Sequence, residues 1–172
     1  MRLRTVCLIA AAGLAAAPAL ADTPQGLGTF QNWAAYTTGT GDQKVCYALT
    51  QPKASLPKKA KRDPIYFLIS DWPGRRAKAE PEIVPGYKYK EASMATLQVG
   101  AQKFTFFTKN DSDDGSAWVE QQADEARIVS ALQGAAQAVV TGTSAHGTTT
   151  KDTYALTGLS DALDKVHAAC GT

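Results

Sequence analysis

The sequence is short of the residues that do chemistry at neutral pH. Of 172 residues only two are histidine and three cysteine, and aromatics make up 8%. There is no C-x-x-C, no H-E-x-x-H, no phosphate-cradling glycine loop and no dinucleotide fingerprint, so the usual redox, metalloprotease and nucleotide-binding readings have no motif to rest on. Long apolar runs are also missing. The longest, Thr5–Leu20, is about 16 residues, under the roughly 20 that a membrane-spanning helix requires.

That run has the layout of an export leader. Arg2 and Arg4 precede it, and Ala19-Leu20-Ala21 closes it as an A-x-A cleavage site behind Pro18. A membrane anchor would need more length and a stop-transfer flank. Cys7 lies within the apolar core and none sits at the cleavage point, which argues against a lipid-modified terminus. Residues 1–21 are therefore expected to be a cleaved signal peptide. Residues 22–172 are expected to form one periplasmic or secreted domain, large enough for a real core.

Removing the leader removes Cys7, Arg2 and Arg4. Sixteen basic and sixteen acidic residues remain, so the basic pI of the whole sequence is no argument for nucleic-acid binding. The charge is uneven: residues 44–90 carry eleven Lys+Arg against four acids, and residues 91–172 carry five against ten. Cys46 and Cys170 are the remaining thiols. In an oxidising compartment they predict one disulfide tying the C-terminal end to an early strand. A reactive or metal-binding pair is the alternative, but two thiols and two scattered histidines make a poor zinc set.

What is present in quantity is short segments with turn residues between them, the mark of a mostly β chain. Strands are expected at 29–37, 44–50, 65–70, 83–85, 95–99, 103–108, 138–144 and 149–156. The last of these alternate, as a sheet with one wet face should, whereas Ile65–Ile69 is apolar throughout and reads as a central strand. Helical spacing at Ala126, Ile128, Val129 and Leu132 predicts a helix over 123–133 stopped at Gly134. A second is expected over 160–169, capped by Ser160, with His167 near its negative end. Residues 51–64 and 109–116 are too polar to bury and read as exposed loops. The fold class is thus a mostly β, antiparallel β-sandwich with two short α-helices and a single disulfide.

Each hint of chemistry has a plainer reading beside it. Gly142-Thr143-Ser144-Ala145-His146 approaches a nucleophile elbow, but the elbow needs a strand-to-helix turn and this segment runs strand to turn to strand. Ser144, His146 and Asp152 share a triad's composition, which spacing alone cannot make a triad. Asn110, Ser112 and Asp114 before Gly115 suggest a calcium loop, yet its twelfth position is Gln121, not the bidentate glutamate required. Neither a metal nor a cofactor is expected. Trp33, Trp72 and Trp118 read as core or strand-edge anchors. The basic loop is the strongest surface signal: Lys53, Lys58, Lys59, Lys61 and Arg62, with Arg75 and Arg76 extending it if the two loops meet. It holds no aromatic residue, so base stacking is unsupported; the plainer reading is a solvated loop that keeps the protein soluble, and the functional one is a surface for an anionic envelope or host component.

Four stretches carry a family resemblance. They are Cys46-Tyr47-Ala48-Leu49-Thr50-Gln51-Pro52; Arg62-Asp63-Pro64-Ile65-Tyr66-Phe67; Gly142-Thr143-Ser144 with Gly147-Thr148-Thr149-Thr150 and Asp152-Thr153-Tyr154; and Gly158-Leu159-Ser160 leading to Leu163 and Cys170. With the leader and Phe30-Gln31-Asn32-Trp33, the chain resembles the invasion-associated locus B family of alphaproteobacterial exported proteins over nearly all of residues 22–172. The resemblance implies a periplasmic or secreted, non-enzymatic β-sandwich, and in pathogens a link to host-cell entry. It supplies no catalytic residues. Members often carry a cysteine shortly after the early tryptophan, where this chain has Tyr36 and Thr37. Two other classes stay open at this stage. A hydrolase predicts Ser144, His146 and Asp152 converging in a concave pocket. A small-molecule carrier predicts an apolar cavity of roughly 300 Å³ between the sheets.

Overall fold

The computed structural model describes residues 23–112 and 114–172. The leader reading of 1–21, Cys7 included, lies outside the described residues. The strands are β1 (Gln25–Phe30), β2 (Trp33–Thr38), β3 (Val45–Thr50), β4 (Ala54–Leu56), β5 (Tyr66–Trp72), β6 (Ala77–Val84), β7 (Met94–Val99), β8 (Gln102–Asn110), β9 (Gly115–Trp118), β10 (Gln137–Thr143) and β11 (Thr149–Ala155). The helices are α1 (Gln122–Gln133), between β9 and β10, and α2 (Leu159–Cys170), at the C-terminal end.

All eleven strands belong to one antiparallel sheet, ordered β1-β2-β3-β5-β6-β9-β8-β7-β10-β11-β4. The expected two faces are the two halves of this single sheet, folded toward each other. β2 and β11 stand eight places apart in the order, yet the Trp33 indole N–H donates to the Ala155 carbonyl at 3.2 Å. The Phe67 and Tyr154 rings meet edge-on, 5.6 Å between centroids. The halves join at a narrow seam, where β6 and β9 share only the pairs Glu82–Trp118 and Ile83–Ala117.

Strand alternation explains what fills the space between the halves. Trp33, Ala35, Cys46, Ala48, Phe67 and Ile69 point inward from β2, β3 and β5, and Leu97, Phe106, Val140 and Tyr154 point inward from the other half. The interior that a carrier would keep open is occupied by these side chains.

α2 lays the buried stripe Leu159, Ala162, Leu163 and Val166 against β1, β2, β3 and β5. Its start is set by Gly158 at φ 95°, where an added Cβ would lie 1.9 Å from the Phe30 carbonyl oxygen, so only glycine fits. Ser160 does not cap it; the cap position is Gly158, and Gln133 donates to the Ser160 hydroxyl instead. At the far end Cys170 is bonded to Cys46 with the Cα atoms 5.9 Å apart, closing the expected loop across 124 positions.

Several strands differ from expectation for identifiable reasons. Residues 29–37 are two strands, because Gln31 takes φ 53° and turns the chain without a glycine or proline to announce it. β6 begins at Ala77 and passes through Pro81. Proline has no N–H to donate, and β9 reaches β6 only at Glu82 and Ile83, so the rest of β6 is paired on its β5 side. β4 lies inside the polar 51–64 loop and pairs with β11 through Ala54, Ser55 and Leu56.

Candidate binding surface

The 51–64 loop leaves β3 and is tied down at its start. The Lys53 N–H donates to the Thr153 carbonyl at 2.8 Å, and β4 extends the sheet beside β11. Lys53, Lys58, Lys59 and Lys61 are exposed, and among the described residues none of their ammonium groups has a hydrogen bond or ion pair. Four like charges within nine positions make a positive ridge held by the sheet edge.

Arg62 is not part of that ridge. Its side chain is 6% exposed and that of Asp152 is 2%. The guanidinium donates to both carboxylate oxygens of Asp152, at 2.7 and 2.6 Å, and through Nε to the Pro85 carbonyl at 2.8 Å. It also lies over the Tyr87 ring, 4.9 Å from its centroid. Burial alone would lower the pKa of this arginine, but its bonds to Asp152 outweigh that and hold it above the ordinary value. Arg62 is thus the anchor that returns the loop to the body of the protein, and a bidentate fork suits that role.

The anchor sits in a tyrosine cluster. Tyr87 shares a 2.6 Å hydrogen bond with Thr150 and packs edge-on to Tyr89. The hydroxyls of Tyr89 and Tyr154 are buried without a hydrogen-bond partner. Burial, reinforced by neighbouring tyrosines and Asp152, pushes both phenols well above their ordinary value.

Arg75 and Arg76 do not join the ridge either. They follow β5, whereas the lysine loop precedes it, and a seven-residue strand of about 20 Å separates them. Arg75 stacks over Trp72 at 4.0 Å and pairs with Glu80 at 3.4 Å. Arg76 is exposed in the left-handed conformation.

The triad composition does not become a triad. Ser144 and His146 border a 230 Å³ depression with Lys61, Arg62 and Tyr87. Asp152, however, gives both oxygens to Arg62, and the Ser144 hydroxyl accepts from the Thr148 N–H at 3.2 Å. Among the described residues no hydrogen bond joins His146 to either. The segment is a hairpin tip: Gly147 donates to the Ser144 carbonyl at φ 80°.

Nor does the acidic segment form the suggested calcium loop. The Asn110 side chain is committed to the Tyr89 backbone, accepting from its N–H at 2.8 Å and donating to its carbonyl at 2.9 Å. Gln121 is the N-cap of α1. Among the described residues no group of three or more His, Cys, Asp or Glu is placed to hold a metal ion.

One buried polar site left no sequence signal. Asp71, fully buried on β5, accepts from the Ala79 N–H at 2.8 Å and from the Thr172 hydroxyl. It also meets His167 Nδ1 at 2.7 Å. His167 thus serves a specific carboxylate rather than the helix dipole alone. The segments lie far apart in sequence, and only the α2 docking that Cys170 secures brings them together.

Comparison with known proteins agrees with this fold. The model of the family described as invasion associated locus B (IalB) protein matches residues 33–167. No curated protein matches. Among solved structures, the crystal structure of invasion associated protein B from Bartonella henselae superimposes with a TM-score of 0.58 at 15% identity, covering 84% of this chain and 98% of that one. At that identity the likeness speaks for the fold, and the family model speaks for descent: this chain belongs to the invasion-associated locus B family.

Proposed function

We propose that this chain is an exported, non-enzymatic binding module of the cell envelope, and that the lysine ridge on the 51–64 loop is its contact surface. Its ligand class is an array of phosphate or sulfate groups, on envelope lipids or on an acidic polymer of the envelope or a host surface. One observation carries the reading: Lys53, Lys58, Lys59 and Lys61 stand exposed and unpaired on a segment that the buried Arg62–Asp152 pair holds in place. Cations that served solubility alone would need no such anchor. An export leader at 1–21 would carry the ridge to the compartment of the envelope anions.

The test compares the 22–172 chain with a Lys53/Lys58/Lys59/Lys61→Ser variant. Two probes separate the sources: vesicles with and without phosphatidylglycerol, and soluble heparin. Binding is expected to fall at least tenfold between 50 and 300 mM salt, as exposed charges are screened over about 10 Å at 0.1 M. It should also fall at least tenfold in the variant. Equal binding by the variant, or binding indifferent to salt, removes the ridge from the function.

A further inference from the structure

A second site lies at the other end of β5, beneath α1. β9 pairs with β6 only at Glu82 and Ile83, so residues 77–81 have no strand on that side, and α1 packs there. Between helix, strand and the end of α2 is an open cleft of about 390 Å³, within the range of small-ligand sites. Ala79, Ala126 and Val129 give it an apolar wall.

Its polar groups carry both signs. Glu125 borders the cavity from α1 and is 6% exposed. No hydrogen bond or ion pair among the described residues takes up its carboxylate. Burial, with the Glu80 charge adding to it, raises its pKa. Arg76 and Lys78 also line it, both exposed and neither paired. His167 borders the cavity as well, its Nδ1 held by Asp71.

A simple cation would meet Arg76 and Lys78, and a simple anion would meet Glu125. A ligand with both charges satisfies all three groups and completes Glu125. We infer that this cavity binds an amino-acid-type zwitterion with an aliphatic side chain. Its ammonium would rest on Glu125, its carboxylate on Arg76 and Lys78, and its side chain against Ala79, Ala126 and Val129. The free amino acid and a short peptide share this chemistry. The site is separate from the lysine ridge and stands or falls without it.

The test is a titration of the ¹⁵N-labelled 22–172 chain, followed by amide shifts. L-leucine and leucyl-leucine are the zwitterionic probes. 4-Methylpentanoate lacks leucine's ammonium, and 3-methylbutylamine lacks its carboxylate. Leucine, the dipeptide or both should shift amides in 76–79, 122–133 and around His167, and each single-charge analogue should bind at least tenfold more weakly. Glu125→Gln, nearly isosteric, should weaken the zwitterion about tenfold and leave 4-methylpentanoate unchanged or tighter. Lys78→Gln should weaken the zwitterion and leave the amine unchanged or tighter. That opposite response distinguishes contact from a general loss of structure, which the dispersion of unliganded spectra also reports. No shift with either zwitterion at 10 mM, a single-charge analogue binding as tightly, or variants weakening all probes alike would overturn the assignment.

Discussion

Asp71 and Asp152 are both sealed from solvent, at 0% and 1% exposure, and each is held from several sides by different chemistry. Asp152 meets one full positive charge in a two-pronged geometry. Asp71 is held by a backbone N–H, a hydroxyl and an imidazole. The first pair anchors a loop to the sheet. The second joins β5 to the C-terminal end and shares that task with a disulfide, since Cys46 and Asp71 are register partners on β3 and β5. A single buried charge pair therefore concentrates its energy in one residue, whereas a carboxylate with several modest partners spreads it.

The largest effect should come from the covalent part of the Asp71 region. Cys46→Ser with Cys170→Ser is expected to cost up to about 4–5 kcal/mol by loop entropy, an upper guide. Chemical denaturation of the oxidised, reduced and mutated proteins checks it. Next, Arg62→Met leaves Asp152 buried and uncompensated and should cost about 3–5 kcal/mol, while Arg62→Met with Asp152→Leu should recover most of the loss. If the single and double variants are equally unstable, the pair is not the anchor. Because the folded-state pKa of Arg62 is raised, its contribution is complete at every pH below the ordinary arginine value and fades only above it.

His167→Ala should cost less, about 1–3 kcal/mol, because the Ala79 and Thr172 bonds to Asp71 survive. A loss equal to that of Arg62→Met would erase the distinction between the two carboxylates. The smallest effect belongs to Glu82, half-buried on β6, whose pKa is raised by burial and by Glu80, with a Ser116 bond acting against it. A carboxyl whose folded value lies above its unfolded value weakens the fold once ionised, and that cost disappears as pH falls through the folded value. Glu82→Gln should therefore stabilise by at most about 1 kcal/mol at pH 7. The gain should vanish toward pH 4 in paired thermal melts.

Elements with a strong local signature were legible in the chain. The helical spacing of 123–133, the apolar run 65–69 and the alternating pair at 138–156 became α1, β5, β10 and β11 within a few residues. Other elements gave no local cue. The turn at Gln31-Asn32 lacks glycine and proline, and β4 is a strand only because β11 offers it an edge. The site residues divide in the same way. Lys58, Lys59 and Lys61 are exposed as their polarity suggests, while Arg62, identical in formal charge, is drawn inward by a partner ninety positions away.

What the amino-acid order determined by itself was the β-rich class, the cysteine pair available for bonding and the run of positive charge, because composition and short-range periodicity carry those properties. The tertiary structure decided that two sheet faces are halves of one folded sheet, which cations are free and which are spent, and that Glu125, Arg76 and Lys78 line one depression. Those outcomes depend on partners far apart along the chain, and no local pattern encodes a long-range pairing before the sheet has closed.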